Sequence, residues 1–341
     1  MLATTSARIA PFRGLRRLDV SRDLGDVAGL IDEAFANEPD HAGRAIASEF
    51  RSLSRFGPLL WLLDRISLGY QDWFTGFVWV EEGRVVGNVS LNREGDAPGR
   101  WLVSNVAVAA PYRGRGIGQQ LMRASLDFLR SRRAKVAFLM VRRENEGAIR
   151  LYRDLGFVEV GGKVTLRRET PPDRLNEPPL EAGWKLRDVR FNDARALYDL
   201  ARAATPEPLL HVQPAHYDAW AAETEEGPGE WLLAKLGHRT SYRWVLEERS
   251  TILAHLRLEI SRKKYHRVRL TVHPSARGRV ELALLSRALN LLQRAPVLPV
   301  LADVGGDEAV AMSLLRAWGF AESRWLVVMS RRMDMELGTE E

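Results

Sequence analysis

Hydrophobic positions along the chain change period several times, and each change marks an element. Leu24, Val27, Leu30, Ile31 and Phe35 recur at helical spacing, which predicts a helix over about 23–35 behind a short strand at 16–18. A second helix is expected at 42–53. Apolar stretches at 74–80 and 85–91 flank Glu81-Glu82-Gly83-Arg84, the pattern of a hairpin. The run 101–108 then leads into Arg113-Gly114-Arg115-Gly116-Ile117-Gly118 and an amphipathic helix ending near Arg130. A buried strand at 136–141, a helix at 146–155 stopped by Gly156, and strands near 157–160 and 164–168 complete the series. Mixed strands and helices around one central strand–turn–helix imply an α/β fold with helices packed on a sheet.

The series occurs twice. Arg113-Gly114-Arg115 recurs as Arg277-Gly278-Arg279, each five residues after a valine that closes an apolar run, Val108 and Val272. Leu155-Gly156-Phe157 recurs as Trp318-Gly319-Phe320, and the hairpin at 78–87 has a counterpart at 245–254. Near-constant offsets over a span this long indicate a duplicated domain. Four prolines within 169–183 make a stiff connector. The expected organisation is therefore a first domain at 1–168, a linker at 169–183 and a second domain at 184–341.

Composition narrows the class. With 45% hydrophobic and 28% charged residues the chain reads as a soluble globular protein, and the absence of cysteine removes disulfides, thiolate metal sites and a cysteine nucleophile. None of the histidines has metal-ligand spacing, so no metal is expected. The N-terminal stretch lacks the apolar core of a signal peptide, and the most apolar segment, 56–68, carries Asp64 and Arg65. A cytoplasmic location without membrane contact is expected. The net charge of +6 comes almost wholly from arginine, since only six lysines are present; acidic residues are interspersed throughout, which favours a solvated basic surface over nucleic-acid binding.

The chemistry concentrates in two places. A strand that ends in a glycine-rich turn and opens a helix presents backbone N–H groups and a positive dipole end to an anion, so the turn at 113–118 is a phosphate-binding candidate. A dinucleotide fold would place such a turn on the first strand, and a nucleoside-triphosphate loop would require Gly-Lys-Ser/Thr where Gln119-Gln120 stand. The second place is Asn145-Glu-Gly-Ala148-Ile-Arg-Leu-Tyr152-Arg-Asp-Leu-Gly156-Phe157. Seven residues separate Asn145 from Tyr152, two helical turns, so an amide, the small Ala148 and a phenol share one face.

In these residues the chain resembles the GNAT superfamily of acyl-CoA N-acyltransferases: the loop Arg/Gln-x-x-Gly-x-Gly/Ala at 113–118, followed by the Asn-x-x-Ala-x-x-x-Tyr-x-x-x-Gly-Phe helix. The resemblance covers most of 10–168 in element order and 184–332 more weakly. It implies two tandem GNAT-like domains, each a mixed, mostly antiparallel sheet flanked by helices. It also implies acetyl-CoA as co-substrate and an N-acetyltransferase working by direct attack of a primary amine in a ternary complex. The pyrophosphate would rest on the N–H groups of Arg115, Gly116 and Gly118, within a loop that includes Gly114 and Ile117, with Arg113 adding charge. The pantetheine arm would run between diverging strands after Val108 and near Val141, pairing with the backbone of Val106, Ala107 and Val108. Tyr152 would protonate the departing thiolate, and Asn145 would bond the coenzyme arm or hold the tyrosine. Residue by residue, plainer roles exist: Asn145 as a helix cap, Tyr152 as a core aromatic, Gly156 as a helix stop.

The second copy departs from this pattern. Aligned on Arg277-Gly278-Arg279, the two later glycines become Val280 and Leu282; the tyrosine position is Leu315 and the asparagine falls near Glu308. That copy is expected not to bind coenzyme A, and either to shape the acceptor pocket or only to stabilise. No general base stands out: Ser104 and Asn105 are unconvincing, and Glu81, Glu82, Glu94 and Asp96 read as solvated turn residues. The acceptor, a small-molecule or peptide amine, would meet residues at about 35–50, 56–74 and 159–163, with Trp61, Tyr70, Trp73 and Phe74 as an aromatic wall and Asp32, Glu38, Asp40 and Glu49 as acidic candidates. A catalytically silent acyl-CoA sensor is the alternative, and a monomer or homodimer fits equally.

Overall fold

The computed structural model describes residues 12–34, 75–94, 99–224 and 239–333. The chain folds as two compact units. The first gathers Met1–Met140, Glu146–Val158 and Met329–Glu341; the second gathers Val141–Asn145 and Glu159–Val328.

In the first unit β1 (Gly14–Arg17), β2 (Thr75–Glu81), β3 (Arg84–Arg93) and β4 (Arg100–Val108) form an antiparallel meander, and β5 (Val136–Arg142) joins β4 in parallel. Helix α1 (Leu24–Ala34) buries Val27 and Ile31 against Val78, Val80 and Val85. On the other face α2 (Ile117–Ser131) packs so closely over β3 that a Cβ on Gly87 would stand 3.0 Å from Ile117 and Leu121. Phe128 closes this layer, meeting Phe77 and Trp101 edge to face. Helix α3 (Glu146–Asp154) buries Ile149 and Tyr152 and stops at Gly156, φ +80°.

The second unit repeats the order. β7 (Trp184–Asp188), α4 (Ala194–Ala204), β8 (Arg239–Glu248), β9 (Thr251–Ser261) and β10 (His266–Val272) are followed by α7 (Glu281–Leu291), β11 (Val300–Gly305) and α8 (Ala309–Ala317). Two further helices, α5 (Glu207–Val212) and α6 (Tyr217–Thr224), lie between α4 and β8. The duplication extends to single side chains. Arg16 grips Asp23 with two bonds of 2.5 and 2.8 Å, and Arg187 grips Asp193 in the same way at 2.7 and 2.9 Å, each tying the first strand of its copy to the following helix.

The units divide the chain differently from the expected boundaries of 1–168 and 184–341. β6 (Val158–Arg168) pairs antiparallel with β11, from Lys163↔Gly305 to Arg168↔Val300, inside the second unit. β12 (Ala321–Arg332) begins in the second unit, but its last residues belong to the first, where Arg331 donates to the Leu155 carbonyl and the Met333 amide to that of Lys135. Each unit thus holds strand residues from the opposite half of the sequence. β6 is one strand where two were expected. Gly161 and Gly162 keep φ outside the left-handed region, and the Gly162 carbonyl takes the Gly306 amide at 2.9 Å, so the ladder runs on without a turn. The proline-rich 169–183 segment is strapped down rather than free: Asn290 brackets both backbone groups of Leu175, and Gln293 holds the Pro172 carbonyl.

Candidate functional site

The glycine turn sits at the open end of the β4–β5 pair. These strands are in register only from Arg100↔Val136 to Leu102↔Phe138, although both run on for several residues, so they part beyond that point. The cause lies on the other side of β4. Between Asn88 and Ser90 of β3 the register with β4 shifts, and Asn105 takes φ +51°, a bulge that turns the strand away. Asn88, fully buried, donates to the Asn105 carbonyl at 2.9 Å and fixes the bulge. The sequence reading missed Asn88; an amide inside the apolar run Val85-Val86-Gly87-Asn88-Val89 was the available signal.

After β4 a short 3-10 turn (Ala110–Tyr112) delivers the loop. Gly114 and Gly116 both adopt φ +76°, where a side chain is strained, and the space a Cβ would occupy at either is open. Gly116 opens α2, whose first helical bond runs from the Gln120 amide to the Gly116 carbonyl. The amides of Ile117, Gly118 and Gln119 therefore have no carbonyl partner in the helix, at its positive end. Gly118 marks the convergence: a Cβ there would lie 3.5 Å from Leu151 of α3 and 3.9 Å from Val108. The two loop arginines turn back on the backbone. Arg113 Nε donates to the Val108 carbonyl, and Arg115 donates to Pro111 and lies over the Tyr112 ring, so both brace the loop.

Tyr152 is 5% exposed, with its ring 6.1 Å from Phe157. Burial pushes its phenol up to about 12, so it holds its proton at any physiological pH. Ala148 lies one turn earlier on the same helix and is half-buried. Asn145 directly precedes α3, falls in the stretch Val141–Asn145 assigned to the second unit, and is exposed. Val106 to Val108, the loop 113–118, Ala148 and Tyr152 all lie in the first unit, where Gly118 sits between Val108 and Leu151 of α3.

Glu81 is a correction. Expected as a solvated turn acid, it ends β2 at 8% exposure; the Trp79 indole donates to it at 3.0 Å and Arg13 lies at 2.7 Å. Those bonds hold its carboxyl below the usual range, which suits an ion pair and not a base. Glu82 is exposed in the turn, as expected, at φ +50°. Glu38, Asp40, Glu49, Trp61, Tyr70, Trp73, Phe74 and Asp96, with the helix expected at 42–53, lie outside the described residues. Of residues 159–163, Glu159, Gly161, Gly162 and Lys163 line a cavity of the second unit.

The matching loop of the second copy is closed. Val280 has φ −104° where Gly116 has +76°. Glu281, 3% exposed, accepts from the Gly278 amide with both oxygens at 2.9 Å and from the Val280 amide at 3.2 Å. A carboxylate of the chain itself thus takes the place of a bound anion. β9 and β10 pair in unbroken register, without the bulge seen between β3 and β4.

Residues 38–157 match the model of the acetyltransferase (GNAT) family. Among curated proteins, the N-alpha-acetyltransferase RimI of Mycobacterium tuberculosis is 41% identical over 80 residues, 23% of this chain and 49% of that protein. The chain spans from 21% to 55% of the length of the curated relatives it matches. A solved GCN5-related N-acetyltransferase of Sphaerobacter thermophilus superposes with a TM-score of 0.61 at 18% identity, covering 94% of this chain and 96% of its own. A tandem GNAT protein from the clavulanic acid biosynthesis pathway gives 0.55 at 17%, covering 94% and 99%. At those identities the likeness is one of fold.

Proposed function

Because residues 38–157 belong to the GNAT acetyltransferase family, we propose that this chain is an acetyl-CoA-dependent N-acetyltransferase whose working site lies in the first unit. The observation that carries the reading is the loop itself: two glycines at φ +76° with open space before them, leading into a helix whose first amides lack partners. A diphosphate fits that cradle, and the parted β4 and β5 leave backbone edges for an extended arm. Val106 and Ala107 are the residues to meet it, since Arg113 already engages the Val108 carbonyl.

Acetyl-CoA supplies an acyl group activated as a thioester. The chain's part is to orient it on main-chain amides, to exclude water with the buried faces of β4 and α3, and to return a proton to the sulfur. Tyr152 is the group for that last task, as a neutral phenol at neutral pH. No base is assigned on this reading; an acceptor amine that arrives neutral, or that loses its proton through water, is compatible with it.

The second copy does not take part in coenzyme binding on this reading, because Glu281 occupies its loop. Thiol release from acetyl-CoA across a panel of primary amines tests the proposal. Turnover with at least one amine supports it; tight coenzyme binding without turnover on any amine makes the chain an acyl-CoA sensor instead.

A further inference from the structure

A cavity of about 670 Å³ opens within the second unit, in the size range of small-molecule sites. Its floor is a polar face of the sheet. Across the strands Arg269 of β10 stands beside Asp303 of β11, and Asp303 beside Thr165 of β6; Arg267 lies two residues along β10 on the same face. Leu209, Trp325 and Leu326 supply apolar walls, and Glu308, at the start of α8, faces the same space.

The lining carries four cations, Lys163, Arg267, Arg269 and Arg324, and four carboxylates, Glu159, Asp303, Asp307 and Glu308, so it suits an occupant without net charge. Arg267 and Arg269 both converge on Asp303, at 3.3 and 3.5 Å, and Arg269 stands a further 3.8 Å from Glu259. Both guanidinium side chains stay partly exposed, 26% and 43%, and keep N–H donors for an occupant. Glu308 is the converse. One of its oxygens takes the Gly305 amide at 2.8 Å, and no ion pair reaches it among the described residues. Burial, with Asp307 and Glu281 adding to it and the Gly305 amide and Arg277 opposing it, pushes its carboxyl up to about 7. The cavity therefore has partly exposed guanidiniums on its floor, a carboxyl without an ion pair at α8, and apolar surface.

Coenzyme A is excluded as the occupant by the closed loop. Glu281 fills the amide nest, Arg277 is bound to Asp307 and the Ala204 carbonyl, and Arg279 is bound to Glu181. We propose that this cavity binds an apolar zwitterion of dipeptide size, its carboxylate on Arg267 and Arg269 and its ammonium on Glu308. The assignment is argued from the second unit's own residues and does not rest on the acetyl-transfer reading.

Calorimetry on the full chain, without acetyl-CoA, tests the assignment with leucyl-phenylalanine, its N-acetyl form and its C-terminal amide as probes. The free dipeptide is expected to bind with Kd below about 100 μM, and each capped form at least about tenfold more weakly. Glu308→Gln is expected to weaken the free dipeptide about tenfold and leave the N-acetyl form unchanged. Leu209→Trp, which fills the apolar wall, is expected to abolish binding while the melting temperature stays within a few degrees. No binding of the free dipeptide at ~5 mM, equal affinity for the N-acetyl form, or indifference to Glu308→Gln would each overturn it.

Discussion

Glu281 holds the Gly278 amide through both of its carboxylate oxygens, each at 2.9 Å. Its counterpart in the first copy is Ile117, which has no acceptor to offer the loop. Glu281, together with Val280 and Leu282 at the positions of Gly116 and Gly118, thus separates a loop that seals itself from one whose amides have no carboxylate of the chain on them.

Transplanting the Glu281 side chain should transplant the seal. Ile117→Glu is expected to weaken acetyl-CoA binding at least about 100-fold, because a built-in carboxylate takes charge-assisted bonds worth about 2 to 3 kcal/mol and repels the diphosphate. Calorimetric Kd values for wild type and variant check this, with thermal melting to confirm folding. An unchanged Kd would mean that the diphosphate binds elsewhere.

Tyr152→Phe is expected to lower kcat about 100-fold and to leave the KM for acetyl-CoA within about twofold. The phenol's raised pKa, about 12, keeps it protonated throughout the assay range. Any alkaline limb of the wild-type profile below pH ~10 therefore belongs to another group and should survive in the variant. Equal kcat values for the two proteins would remove Tyr152 from the chemistry.

Much of this was legible in the sequence and some was not. The duplication, the loop and α3 could be read because local patterns carry them: periodicity, glycines needing positive φ, residues two helical turns apart. The passage of β6 into the second unit could not, since the alternation in 158–168 reads the same whichever strand it pairs with. Glu281 was not singled out, and the expected loss of coenzyme binding was inferred from Val280, Leu282, Leu315 and Glu308. Glu81 was misjudged because its burial depends on Trp79 and Arg13, contacts that turn position does not encode.

His255 is expected to penalise the second unit in acid, against Glu308, whose carboxyl, raised to about 7, favours the fold as pH falls. His255 is 5% exposed, and burial, reinforced by Arg257, Arg243 and Arg269, lowers its pKa from 6.5 to about 4. The unfolded chain takes up a proton below pH 6.5 that the folded chain refuses until about 4. From this group alone, stability is unaffected above the first value and falls by up to about 3 kcal/mol on the way to the second. Melting curves at pH 8 and pH 5 should show a smaller acid-induced drop in His255→Leu than in wild type. An identical drop would show that other groups carry the sensitivity.

The paired struts, Arg16–Asp23 and Arg187–Asp193, should differ in cost. Each aspartate is nearly buried, but truncating Asp23 strands the Arg16 guanidinium, whereas Arg187 keeps Glu247 at 2.7 Å. Asp23→Ala is expected to cost about 3 kcal/mol in denaturant unfolding and Asp193→Ala less. A cost below about 1 kcal/mol for Asp23→Ala would show that its strut is a surface pair in energetic terms.

Because strand residues are exchanged between the two units, the halves are not separable, and the decisive experiment uses the whole chain. Titration calorimetry with acetyl-CoA should give one site per chain, supplied by the open loop at 113–118. Two sites per chain, or none, would contradict the account.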